Sequence, residues 1–378
     1  MVQISDKTTH KDKLNPPNRL LLGPGPSEVD PVVLEALSLP PLGHLDPALL
    51  AIMANTQEML RGVFRTTNRF TIALSGTGTS GMEAALLNSV EPGSHVVIGV
   101  MGYFGERMCQ IAERLGAVVT RVDAPWGRQL DAQQMRDAIM RTKPAVVCAV
   151  HAETSTGVCQ DLVDIADAAH DVDALFLVDA VTSLGGQPLL VDDWGIDICY
   201  SGSQKCLGAP SGLAPFTMNE RALDRLRSRK NSVPGFYLDT LLLAKYWEEK
   251  QYHHTISAPL IYALSTALQL LHAEGLEARW ERHRKNHLLF RNGIEAMGLD
   301  FLPEEKYSLW PLNAILLPEN IDEMGVRSRL LTEHGIEIGG GLGPLKGKLL
   351  RVGLMGYGSR EKYVITLLSA LKTVLEVA

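Results

Sequence analysis

Residues 70–90 read FTIALSGTGTSGMEAALLNSV, and this stretch decides the fold class. Its first five residues are apolar but for Thr71 and include β-branched positions, the composition of a buried strand. SGTGTSG (75–81) follows with three glycines, and residues 82–90 place apolar side chains at helical spacing. A strand that turns through glycines into a helix is the repeating unit of α/β architecture.

The same alternation recurs along the chain. Candidate strands are 70–74, 95–100, 118–122, 145–150, 174–178, 198–201 and 213–217, with helical periodicity over 82–90, 106–115, 131–141 and 162–170. The order predicts a mainly parallel, seven-stranded sheet covered on both faces. A long helical stretch, about 259–297, comes next. The pattern restarts with a strand at 312–317, a helix near 324–334, a strand near 349–353 and a closing helix from 360, a smaller α+β unit. The expected division is an arm at 1–19, a large domain at 20–274 and a small carboxyl-terminal domain at 275–378.

Composition narrows the function classes. The chain has 378 residues, 46% hydrophobic and 21% charged, with 36 basic against 43 acidic residues and a net charge of −7. A nucleic-acid partner would need a basic face that this balance does not favour. No uncharged apolar run reaches the roughly 18 residues of a membrane span. Residues 1–19 lack both the apolar core of a secretory signal and the acid-poor character of a transit peptide. The ending EVA (376–378) differs from SKL-type peroxisomal addresses. Cys109, Cys148, Cys159, Cys199 and Cys206 show no CxxC or metal spacing, as expected of reduced core thiols in a cytoplasmic protein.

In open α/β sheets ligands gather beyond the carboxyl ends of the strands, so residues just after each apolar run carry the chemistry. GTGTSG (76–81) matches a dinucleotide fingerprint, yet the next strand ends in Gly99-Val100-Met101-Gly102 with no acid for a ribose. What survives is a phosphate cradle at a helix N-terminus, or an ordinary glycine turn. Asp179 ends the strand in ALFLVDA (174–180), where an unpaired carboxylate is expensive; the alternative is a turn or N-cap aspartate. Lys205, in SGSQKCL (201–207), follows the next strand. An acid and a lysine at adjacent strand ends can meet on one ring. Pyridoxal 5′-phosphate (PLP) needs that pair, a lysine for the Schiff base and a carboxylate to keep the pyridine nitrogen protonated. Adjacent His253 and His254 point apart and have no further ligand cluster, which disfavours a metal. His151-x-Glu153 mimics a zinc-deaminase motif without the PCxxC that completes it.

Seven ordered motifs give the chain a family likeness: LLLGPGPS (20–27), SGTGTSGMEAALLN (75–88), HAETSTGV (151–158), VDAVTSLGG (178–186), SGSQK (201–205), YHHT (252–255) and GGLGPLKGKLLRVGLMG (340–356). The sequence resembles the class V, fold type I PLP-dependent aminotransferases from Leu20 onward, and is most similar there to the alanine–glyoxylate (serine–pyruvate) group. The resemblance implies that Lys205 forms the Schiff base and shuttles a proton, with Asp179 on the pyridinium nitrogen. It places the phosphate on Thr77, Gly78, Thr79 and Gln204, the ring against Phe104 and the ring hydroxyl near Thr154. It assigns Arg351 to the substrate carboxylate, and Tyr252 and Thr255 to the neighbouring subunit's phosphate, hence a homodimer with shared sites. Thr79, Phe104 and Thr154 stand where relatives carry His, Trp and Ser. The implied reaction moves an amino group from alanine or serine to glyoxylate or pyruvate. A 2-aminoethylphosphonate aminotransferase is an alternative. A lyase or desulfurase would need a mobile cysteine nucleophile, and beyond Lys205 the sequence has only Cys206.

Overall fold

The computed structural model describes residues 14–375. Of the expected arm, residues 1–13 lie outside the described residues, as do 376–378; residues 14–19 form neither helix nor strand.

The seven expected strands form one sheet. They are β1 (Phe70–Ser75), β2 (His95–Val100), β3 (Val118–Asp123), β4 (Val146–Val150), β5 (Leu175–Asp179), β6 (Ile198–Tyr200) and β7 (Leu213–Met218). Their order is β1-β7-β6-β5-β4-β2-β3. The pairs β2–β3, β2–β4, β4–β5 and β5–β6 are parallel, whereas β7 runs antiparallel to both β6 and β1. Every residue of β4 to β7 is buried, as continuous apolar runs covered on both faces require.

Two helices begin earlier than apolar periodicity indicates. Gly78–Ser89 and Tyr103–Arg114 both start inside glycine-bearing turns, where the glycines interrupt the apolar spacing that marks the rest of each helix. The stretch at 259–297 is not one helix. It breaks at Gly275, whose φ of 87° no helix accommodates, into Ala258–Glu274 and Leu276–Glu295. Helices Pro31–Leu37, Pro47–Phe64 and Thr240–Glu249 lie outside the strand–helix alternation read from the sequence.

Buried apolar side chains gather in two main clusters. One runs from Val33 to Leu276 around the seven-stranded sheet. The other joins Leu22 to residues between Phe290 and Val374, around a three-stranded sheet of Leu312–Leu316, Leu349–Gly353 and Gly339–Gly340. Leu20–Leu21 pairs in parallel with Ile336–Glu337, so the chain's early residues pack with its late ones. No helix among the described residues is long and apolar enough to cross a membrane.

Candidate active site

The loops beyond β1, β2, β5 and β6 converge at one edge of the sheet, around a cavity of about 160 Å³. Thr77, Gly78, Thr79, Met82, Phe104, Arg107, Asp179, Val181, Gln204 and Lys205 line it. Seven of these are expected site residues; Met82, Arg107 and Val181 are additions.

Lys205 is 8% exposed. Its Nζ donates to the carbonyl of Pro24, and Ser27 Oγ donates to the Lys205 carbonyl at 2.8 Å. The GPGPS segment thus encloses the lysine, a contact that no local sequence signal announces. Gly25 allows it: at φ 113°, a Cβ there would fall 2.6 Å from Lys205 Nζ. Burial, with the Arg351 guanidinium adding to it, lowers the amine from its ordinary value to about 8.

Asp179 is 1% exposed at the end of β5. Tyr200, its register partner on β6, donates to Oδ2 at 2.7 Å, and Val181 N–H donates to Oδ1 at 2.8 Å. Burial outweighs both donors and raises the carboxyl to about 6. A buried acid held this way gains from a cation brought against it.

Opposite, Thr77 caps the helix Gly78–Ser89 without a side-chain cap bond. The N–H groups of Gly78 and Thr79 therefore point out of the first turn with no acceptor inside the helix. Gln204 Oε1 is buried and unpartnered. Turning that amide over would put its NH₂ donors on the same spot, which suits an anion. Phe104 lies on the next wall, in the first turn of Tyr103–Arg114. Glu153, wholly buried, fixes that turn: it accepts from Phe104 N–H at 3.1 Å and from Ser155 N–H and Oγ at 3.1 and 2.6 Å. Burial pushes its carboxyl up to about 7 despite these donors. The arrangement fits a flat cationic ring with a phosphate at one end and an amine-reactive carbon at the other.

Arg351 stands centrally on Leu349–Gly353, 7% exposed, and donates to the carbonyls of Gly340 at 2.7 Å and Thr154 at 3.2 Å. Among the described residues no carboxylate lies within ion-pair distance of it. Burial lowers its guanidinium to about 10. Thr154, off the cavity wall, shares a 2.6 Å hydroxyl contact with Thr182. Tyr252 and Thr255 are exposed and also off the wall; Tyr252 rests against His44. His253 and His254 contact each other through Nδ1 at 2.9 Å, and their remaining nitrogens meet the Phe236 carbonyl and Ser75 Oγ. Cys206 is buried, donates to the Thr182 carbonyl at 3.2 Å and is pushed up to about 12 by burial, so it offers no thiolate.

Comparison with known proteins supplies a family. Residues 35–341 match the profile described as aminotransferase class-V. The (S)-ureidoglycine–glyoxylate transaminase of Bacillus subtilis is 40% identical, over 95% of this chain and 91% of that one. The alanine–glyoxylate aminotransferase of Drosophila melanogaster is 39% identical, over 97% and 94%. The crystal structure of an alanine–glyoxylate aminotransferase from Nostoc sp. superposes with a TM-score of 0.96, at 48% identity and 98% coverage of both chains.

Proposed function

The chain belongs to the class-V aminotransferase family, whose cofactor is pyridoxal phosphate, and we propose that it transfers the amino group of a small amino acid, alanine first, to glyoxylate. One observation carries the reading. A desolvated lysine and a buried aspartate face the same cavity as the open end of a helix.

When bound, the cofactor supplies an aldehyde carbon that links to amines and a ring that draws electrons from the adjacent carbon. Asp179 holds a proton on the ring nitrogen, and Phe104 supports the ring face. Thr77, Gly78, Thr79 and Gln204 would hold the phosphate, and Thr154 would serve the ring hydroxyl. Lys205 would move a proton between the substrate Cα and the cofactor's aldehyde carbon, a task suited to an amine that burial lowers to about 8 and so leaves about half free at that pH. Arg351 grips the substrate carboxylate through its unspent donors and so aims the Cα–H bond. Arg327, the other arginine beside Arg351 among the described residues, is engaged by Glu323, which leaves Arg351 to meet the substrate carboxylate. A single grip favours monocarboxylic substrates.

Tyr252 and Thr255, exposed and away from their own cavity, are read as reaching a second subunit's phosphate, which makes the active form a homodimer. Two apolar clusters support domains at about 20–274 and 275–378, with Leu20–Leu22 packed against the second. Five free cysteines fit the cytoplasm.

The Bacillus relative favours a second donor, (S)-ureidoglycine. Purified enzyme should be assayed with alanine, serine, (S)-ureidoglycine, aspartate and 2-aminoethylphosphonate against glyoxylate and pyruvate. Alanine with glyoxylate is expected to give the highest kcat/KM. Preference for ureidoglycine would move the donor assignment, and preference for aspartate or the phosphonate would defeat the reading.

A further inference from the structure

Beside the helix end that faces the cavity lies a cation to which the reaction has so far assigned no role. Arg107 follows Phe104 by three residues on Tyr103–Arg114, so the two side chains leave the same face of the helix. Its guanidinium lies 4.9 Å from the Phe104 ring centroid and 5.2 Å from that of Tyr103. Nη1 donates to Thr79 Oγ1 at 3.2 Å. No carboxylate pairs with it among the described residues; the adjacent Glu106 is held by Arg121 at 2.6 and 3.0 Å. An arginine without a counter-ion, stacked on rings and lining a cavity, is placed to meet an anion inside that cavity.

We propose that Arg107 is a further phosphate ligand and the residue by which the site selects the phosphorylated form of its cofactor over the unphosphorylated one. The proposal rests on the cofactor reading above. The Thr79 hydroxyl accepts from Arg107, which leaves its own proton to donate to a phosphate oxygen, an acceptor only. Gly78 and Thr79 N–H groups add neutral donors from the helix end. Arg107 supplies the full charge that these donors lack. The rings of Phe104 and Tyr103 keep it from swinging into solvent.

The test compares PLP with pyridoxal, which lacks only the phosphate. Cofactor-free full-length protein is titrated with each, following the visible absorption, for wild type, Arg107→Met and Arg107→Lys. Methionine keeps an apolar stem over Phe104, and melting curves confirm that each variant is folded. Arg107→Met is expected to weaken PLP binding about 10–100-fold, the usual weight of a charge-assisted contact. It should leave pyridoxal binding unchanged, and Arg107→Lys should recover part of the loss. Equal losses for both vitamers would mean that Arg107 merely supports the fold, and an unaltered PLP preference would mean that it does not touch the phosphate; either overturns the proposal. Should wild-type protein bind neither vitamer, the cofactor reading itself falls.

Discussion

At Lys205 and Asp179 the same force acts in opposite directions. Burial disfavours charge, so it lowers the amine to about 8 and raises the acid to about 6. The amine thereby becomes available as a nucleophile and base near neutral pH, while the acid becomes eager for a cation. The amine reacts with an aldehyde only when deprotonated, and its free fraction grows as pH rises through its pKa. Mixing cofactor-free protein with PLP should therefore give a rate that climbs with pH and levels off above about 8, followed as growing visible absorption. A climb continuing toward pH 10 would show an amine that is not desolvated. Both residues were legible because each follows a strand end, where ligands collect. Arg107 was not. It lies in an ordinary amphipathic helix among other charges, and only its nearness to Thr79 across two helices sets it apart. Glu153 stood out only in the His151-x-Glu153 pair set aside as a metal motif, and nothing in the sequence announced that it is wholly buried beneath a helix end.

The elements were read best where hydrophobicity runs unbroken and worst where backbone geometry decides. The runs that became β4 to β7 are apolar throughout because both faces of the sheet are covered. The break at Gly275 has no hydrophobic signature, since apolar spacing continues across it from Leu271 to Leu276. Its φ of 87° and ψ of 136° suit glycine, and a Cβ there would meet nothing closer than 4.0 Å. Strain alone should then set the effect of Gly275→Ala. The expected loss is about 1–3 kcal/mol, the usual cost of a non-glycine residue in such a conformation. Urea denaturation should show a lower midpoint with an unchanged slope. An unchanged midpoint would mean that the two helices can realign without cost.

For the whole molecule, the question is what completes the cavity. If Tyr252 and Thr255 serve the neighbouring subunit, a chain carrying Lys205→Ala and a chain carrying Tyr252→Ala with Thr255→Ala should complement each other. Their mixed dimer contains one site with both defects and one with neither. Heterodimers isolated by two affinity tags should recover about half the wild-type activity per dimer, on the isologous geometry of a twofold pair. Recovery no better than either parent would place these residues elsewhere. By itself the sequence determined the α/β class, the strands of the sheet and the residues at their carboxyl ends, because periodicity and strand-end position are local properties of a chain. Only the tertiary structure decided that Pro24 encloses Lys205, that Tyr200 holds Asp179, that Glu153 supports Phe104 and that Arg107 reaches Thr79. Those contacts join residues from 21 to 181 positions apart. Distance and burial across such separations exist only once the sheet has brought its loops to one edge.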